Sequence, residues 1–205
     1  MNYWDISPLI SPRLAVWPGD TPLSREILVD ISKGENIDLS TLRATVHIGA
    51  HTDAPHHYHR DGVGIHAVDI ETYIGPCFVH TVENKPMIMP SDCSIPLASG
   101  AKRILFRTNS FPNPDVFNQD FAAFHPDAIA AMGQAGVVLV GIDTPSVDPF
   151  SSKDLRSHQN LFKYKMANLE GIVLTNAADG HYELIALPLR LEGFDASPVR
   201  AILRR

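Results

Sequence analysis

VHIGAHTDAPHHYH, residues 46–59, is the stretch on which the reading of the fold turns. It carries His47, His51, His56, His57 and His59, five of the chain's ten histidines, around one carboxylate, Asp53. The spacing from His47 to His51 would put two imidazoles on one helix face, as in zinc proteases. Here the β-branched Thr45, Val46 and Ile48, Gly49 between the histidines and Pro55 soon after argue against a helix, and no Glu follows His47. The alternative is a strand ending at Gly49 and a turn that returns His51 and Asp53 toward His47. Imidazole nitrogens and a carboxylate oxygen then form a donor set suited to zinc or a similar divalent ion. Ordinary hydrogen bonding would serve for any single histidine, as we expect for His80, His125 and His181. A shared ion accounts for His47, His51 and Asp53 together.

Outward from this segment, prolines and glycines divide the chain into short apolar pieces of strand length. REILVDIS (25–32), RATVHIG (43–49), CFVHTVE (77–83), RILFRT (103–108), VVLVGID (137–143), GIVLTN (171–176) and YELIALPL (182–189) read as strands, with YWDIS and VRAILRR adding edges at the two ends. PDAIAAMGQAG (126–136) predicts a helix opened by Pro126 and Asp127 and stopped at Gly136, and a weaker helical pattern runs from about Lys153 to Lys163. This balance points to a mixed α/β, β-rich fold with a central sheet and outer helices, rather than a regular βαβ alternation. With 205 residues, 44% of them hydrophobic, and neither repeat nor linker, residues 1–205 are expected to form one domain.

The net charge of −6 is dispersed, with no basic run to follow a phosphate backbone, so nucleic acid is not expected as a partner. No apolar run approaches the roughly 20 residues that span a membrane, and MNYWDISPLI lacks the basic start of a signal peptide. A cytoplasmic chain acting on a small molecule is the expectation. Cys77 and Cys93 lack CxxC spacing, so any metal must use nitrogen and oxygen ligands. Further ligands would come from elsewhere, and His158 in SHQNLF and Glu170 in NLEGI lie beside apolar segments late in the chain. Each is a weak signal by itself, since a Glu before a Gly is commonly a solvated helix end.

HIGAHTDAPHH (47–57) resembles the His-x-Gly-Thr-His-x-Asp-x-Pro-x-His signature of the metal-dependent cyclase family that contains the bacterial kynurenine formamidases. Ala50 stands at the Thr position, which removes a hydroxyl but no ligand. YWDISPLI, VWPGDTP (16–22), GIDTPSVDP (141–149), SHQNLF with NLEGIVL, and ALPLRLEGFDASPVRAIL (187–204) follow in the order those enzymes show. The resemblance implies a swivelling β/β/α fold, a homodimer, and two divalent metal ions per subunit, zinc or alternatively manganese. It makes His47, His51 and Asp53 ligands of one ion, has His158 and Glu170 complete a second, and bridges the two with Asp53 and Glu170. It puts His57 at the acid/base position and Trp17 at the substrate-contacting aromatic.

The implied reaction is hydrolysis of N-formyl-L-kynurenine to L-kynurenine and formate. A formamide resists attack because its nitrogen lone pair is delocalised into the carbonyl. A divalent ion answers by lowering the pKa of coordinated water from about 16 to about 7 and polarising the carbonyl, and an imidazole, titrating near 6.5, can carry the proton. For His57 the other reading is a further ligand; for Trp17 it is a core tryptophan beside a Pro-Gly turn. His56 and His59 are taken as structural, and the GIDTPSVDP loop receives no role. The rivals are a hydrolase of another cyclic or aryl amide, of the isatin-hydrolase type, and a non-catalytic metal-binding module. Serine hydrolysis is disfavoured by the lack of a GxSxG elbow.

Overall fold

The computed structural model describes residues 2–205. In chain order its strands are β1 (Tyr3–Asp5), β2 (Ser24–Val29), β3 (Leu39–Arg43), β4 (His51–Asp53), β5 (Ile74–Thr81), β6 (Met87–Ile88), β7 (Arg103–Arg107), β8 (Ala123–Phe124), β9 (Leu139–Ile142), β10 (Ala167–Leu169), β11 (Gly180–Ile185), β12 (Ala196–Pro198) and β13 (Ile202–Arg204). Its helices are α1 (Ser94–Ala98), α2 (Pro126–Gln134) and α3 (Arg156–Tyr164). The mixed, β-rich class expected from the sequence is the one observed.

Seven strands form the main sheet in the order β1-β13-β11-β5-β7-β9-β10. Strands β5, β7, β9 and β10 run parallel, and β11, β13 and β1 extend the sheet antiparallel from β5. The parallel strands are covered on both faces, so β7 and β9 read as nearly continuous apolar runs. Alternation sorts their side chains into two cores. Ile104, Phe106, Val140 and Ile142 face Ile129, Met132 and Leu161 of the helices, whereas Leu105 and Leu139 face Val79, Leu184 and Leu203.

The sequence placed α2 correctly: Pro126 occupies the first turn, and the His125 ring caps the helix by accepting from the Asp127 amide. Strands β2 and β3 form a separate hairpin exposed on both faces, with Ile27, Leu28 and Leu42 in solvent. A second small sheet pairs β4 with β12, and an antiparallel bridge between His51 and Glu170 ties it to the end of β10. Among the described residues no helix is long and apolar enough to cross a membrane.

Two expected strands are not strands. RATVHIG divides: β3 ends at Arg43, residues 44–50 run irregularly, and pairing resumes at His51. Gly49 sits at φ +62, a left-handed turn that interrupts any ladder there. GIVLTN lies after β10 instead of forming a strand. Ile172 and Leu174 are buried alternately, which produces the strand-like pattern. Their neighbours' amides, however, bond to loops: Gly171 to the Thr144 carbonyl at 2.8 Å and Val173 to the Ile6 carbonyl at 2.8 Å. REILVDIS stops at Val29 because Asp30 caps a short 3-10 turn over Ile31–Lys33.

Gly171 marks the closest backbone approach at the junction of the sheets. It holds φ +64, and a Cβ there would lie 2.3 Å from the Gly49 carbonyl oxygen. Gly171→Ala is therefore expected to destabilise the fold by about 1–3 kcal/mol, from left-handed strain and displacement of residues 49–51. Urea unfolding would register this as a lower midpoint with an unchanged slope, and an unmoved midpoint would contradict the close approach.

Candidate metal centre

Four separate pieces of chain meet where the small sheet touches the end of the main one. On β4 the period of two turns the His51 and Asp53 side chains to one face and sends Thr52 to the other, where its hydroxyl donates to the Tyr73 oxygen at 3.3 Å. Glu170 follows β10 directly, and its backbone exchanges two hydrogen bonds with His51 at 2.9 and 3.1 Å. His158 lies in the first turn of α3. His47 comes from the irregular segment before β4.

These side chains converge on Asp53. Its Oδ1 lies 2.9 Å from His47 Nδ1 and 3.8 Å from His51 Nε2, and its Oδ2 lies 3.3 Å from His158 Nε2. Glu170 stands opposite, with Oε2 3.2 Å from His51 Nε2 and Oε1 3.6 Å from His158 Nε2. His47, His51 and Asp53 form one trio whose ligand atoms lie within 4.8 Å of one another, and Asp53, His158 and Glu170 form a second. Asp53 belongs to both. Glu170 belongs to one trio and reaches the other through its contact with His51.

Supporting groups orient this set. Asp148 accepts from the Ser157 amide at 2.9 Å and the His158 amide at 3.0 Å, capping the first turn of α3, and its Oδ2 also accepts from His158 Nδ1 at 2.7 Å. That bond fixes the ring and leaves Nε2 for the cluster. His51 is oriented likewise by its Nδ1, 2.9 Å from the Gly49 carbonyl. Asn168 donates to Asp53 Oδ2 at 2.7 Å and to Glu170 Oε1 at 3.0 Å, while its own Oδ1 accepts from the Asp53 amide at 2.9 Å. The Val147 amide also donates to Glu170 Oε1 at 2.9 Å.

Burial alone would drive these carboxyls toward their neutral forms, but the opposed imidazoles outweigh it: His158, His47 and His51 hold Asp53 well below the usual range, and His158 and His51 hold Glu170 below it. The imidazoles shift the other way. Burial opposes their charge, yet Asp148, Asp53 and Glu170 hold His158 well above its ordinary value, Glu170 and Asp53 raise His51, and Asp53 with Asp195 raises His47 to about 9. These shifts favour the protonated rings, whose positive charge offsets the buried negative charge. A divalent cation would take over that role.

The donor set fits such ions. It is three imidazoles and two carboxylates, without sulfur, and Asp53 Oδ1 is buried with no aligned hydrogen-bond donor, because the 2.9 Å contact to His47 lacks hydrogen-bond geometry. A buried carboxylate oxygen left without a donor is what a ligand atom looks like before its metal binds. The residues first picked from the sequence, His47, His51, Asp53, His158 and Glu170, are thus brought together.

His57 lies beside them on the 3-10 turn Pro55–His57, its ring 4.3 Å from that of His47 and its side chain 35% exposed. Both His57 and the five ligand candidates border one cavity of about 590 Å³. Trp17 borders it too, edge-on to Phe117 at 5.5 Å and tilted against Phe150 at 4.9 Å, so it is wall and packing residue at once. His59 stacks on Phe162, away from the cluster, as a structural residue.

The Cyclase family model matches residues 4–149, most of the chain. This chain belongs to the Cyclase family. A solved structure described as a potential metal-dependent hydrolase with cyclase activity is 25% identical, with a TM-score of 0.83 over 98% of this chain and 96% of that one. An isatin hydrolase bound to the product analogue thioisatinate is 19% identical, with a TM-score of 0.80 over 98% and 91% of the two chains. Isatin hydrolase A from Labrenzia aggregata, bound to benzyl benzoate, is 18% identical, with a TM-score of 0.84 over 98% and 93%. At such identities the last two establish a shared fold, the cyclase-like β/β/α arrangement expected from the sequence.

The family match stops short of His158 and Glu170, which the folded chain supplies from outside it. Three contributors escaped the sequence reading. Asn168 stands two residues before Glu170 on the same strand face, a buried polar position that alternation could have flagged. Asp148 was in view inside GIDTPSVDP but without a partner. Asp195, in FDASP, contacts His47 and His57 only after a fold-back of more than 130 residues.

Asp53→Asn and Glu170→Gln are each expected to lower metal content as well as rate, because Asp53 is shared by both trios and Glu170 touches the rings of both. Metal analysis of chelator-stripped, reloaded protein would read this, and full content in both variants would contradict the shared role. The protons on the rings set the pH dependence. His47 stays protonated up to about 9 in the ion-free protein, so a cation must displace its proton. Apparent zinc affinity is expected to rise about tenfold per pH unit for each proton displaced, with the His47 share of that rise levelling off above about pH 9. Calorimetric titration in two buffers of unlike ionisation heat counts the released protons, and a count of zero would refute the competition.

Proposed function

We propose that this chain is a metal-dependent amidohydrolase that cleaves N-formyl-L-kynurenine to L-kynurenine and formate. One observation carries the reading: two trios of nitrogen and oxygen donors, buried except at His47, share Asp53 at the edge of an aromatic-walled cavity, and a more exposed imidazole, His57, faces the same cavity and meets that set through His47 and Asp195. When bound, divalent ions supply Lewis acidity and an acidified water. His47, His51, Asp53, His158 and Glu170 would hold them.

The chain's own residues do the rest. Asp148 and Asn168 keep the donors in place, so little reorganisation is left for the reaction. His57 takes a proton from the attacking water and returns it to the departing aryl amine, so that the C–N bond breaks to a neutral amine and formate. Trp17 supports the aryl ring of the substrate, a contact worth about 0.5–1.5 kcal/mol beyond its area.

A second reading has its own observation. The charged side chains on the cavity wall are Asp20, Asp143 and Asp195 beside the metal cluster, with no Lys or Arg among the described lining residues. A neutral bicyclic amide of the isatin kind needs no cationic partner, whereas the carboxylate of formylkynurenine would have only the metal site. Structural neighbours that act on isatin support the same alternative.

Assays of zinc- or manganese-loaded protein on N-formylkynurenine, simple N-formylanilines and isatin separate the two. Turnover of formylkynurenine, abolished by chelation and restored by metal, is the expected result, and a wide preference for isatin would replace the named reaction with the second. His57→Ala is expected to keep its metal and lose roughly 100- to 10,000-fold in rate, the usual contribution of a positioned acid/base. Loss of metal in that variant would instead make His57 a ligand, and unchanged turnover would deny it a proton-transfer role. A protein that binds metal yet turns over none of these amides would favour a non-catalytic module.

A further inference from the structure

We propose that Asp195 is a positioning residue that sets the ring tautomers of both His47 and His57 through one carboxylate oxygen. The proposal rests on His57 as the proton-transfer residue named above. Asp195 Oδ2 lies 3.0 Å from His47 Nε2 and 3.4 Å from His57 Nδ1. A carboxylate oxygen has two acceptor sites, enough for both rings. The longer bond suits a catalytic contact that tightens when substrate arrives.

The backbone holds Asp195 in this place from both sides. Its carbonyl accepts from the Ala54 amide at 2.8 Å, the preceding Phe194 carbonyl accepts from the Ile65 amide at 2.9 Å, and the following Ala196 pairs with Asp53 in the register of β12 on β4. The strand that carries two of the ligand candidates therefore also fixes the carboxylate beside His57. None of these contacts uses the Asp195 side chain, so a change of carboxylate to amide leaves the pairing intact.

The consequence follows from which ring nitrogens are already engaged. His47 turns Nδ1 toward Asp53 Oδ1 at 2.9 Å. A nitrogen that faces a cation must be bare, so a neutral His47 in the loaded site carries its hydrogen on Nε2 and donates it to Asp195. The same oxygen draws the His57 hydrogen to Nδ1. His57 Nε2 is then left as the basic nitrogen, while imidazoles in water favour the opposite tautomer. Asp195 thereby couples a metal-facing ring to a proton-carrying one.

The test uses zinc-loaded protein labelled with [15N]histidine, with the His57 signal assigned by its absence in His57→Ala. Long-range proton–nitrogen spectra are expected to show His57 with hydrogen on Nδ1, and Asp195→Asn to move it to Nε2. In the same variant kcat should fall roughly 10- to 100-fold with KM within about twofold and metal content unchanged, and the loss should be absent from the His57→Ala background. A His57 that already bears its hydrogen on Nε2, or that ignores the substitution, would overturn the proposal. So would losses that multiply in the double variant. Loss of one whole ion per chain in both Asp195→Asn and His57→Ala would identify His47, His57 and Asp195 as a metal site instead. If His57→Ala keeps full turnover, the proton-transfer reading fails; if it is inactive while the His57 tautomer ignores Asp195→Asn, the positioning role alone fails.

Discussion

Two carboxylates, Asp53 and Glu170, lie fully enclosed on either side of the same His158 nitrogen. Two unit charges 4 Å apart repel by about 4 kcal/mol at an effective dielectric of 20, so a pair of this kind survives only among donors and positive charge. The chain provides both. Asn168 donates to each carboxylate, and three imidazoles surround them, each tied to a further carboxylate or a carbonyl that keeps it facing inward. Removing one member leaves a buried charge uncompensated, a loss of about 3–5 kcal/mol in comparable clusters. The cost falls on an incomplete set, so the cluster demands that all its members be present without itself being a measure of how firmly the sheets are joined.

That requirement explains the local irregularities of the backbone. Residues 44–50 leave the hairpin without pairing so that His47 can reach Asp53. Gly49 turns left-handed to start β4, and Gly171 gives the chain room to pass over the Gly49 carbonyl. The loop after β9 runs over the same spot: its Val147 amide holds Glu170, its Asp148 holds His158, and its Thr144 carbonyl accepts the Gly171 amide. A parallel sheet that ends in loops at one edge offers just such a place for a polar cluster to be assembled from distant segments.

The sequence disclosed these features unevenly. His47, His51 and Asp53 were legible because they are close in the chain and because a period of two puts His51 and Asp53 on one face. His158 and Glu170 were only weak candidates from their own surroundings and gained a role through resemblance, since no local signal distinguishes a buried Glu before a glycine from a solvated helix end. Burial alternation at Ile172 and Leu174 imitates a strand whose amides in fact bond to loops, and at residues 43–49 the break lies in a glycine conformation that apolar patterning does not register. Asn168 and Asp195 act through partners supplied by folding, so their meaning exists only in three dimensions.

Chemistry and selectivity occupy different kinds of structure here. Four of the five ligand candidates sit on or directly beside regular elements: His51 and Asp53 on β4, Glu170 after β10, and His158 in α3. Much of the cavity wall comes from segments without regular structure, Trp17 before the hairpin and Phe111 and Phe117 after β7. Loops tolerate substitution and re-aim their side chains, whereas a strand shifted by one residue would turn its ligands to the wrong face. The structures this chain resembles share its fold at TM-scores of 0.80 or above with identities of 14–25%, so the fold tolerates replacement of most side chains. On the proposed function, the histidine cluster would treat any amide carbonyl alike, so the aromatic and acidic lining is the part of the site that could distinguish an open formamide from a fused ring.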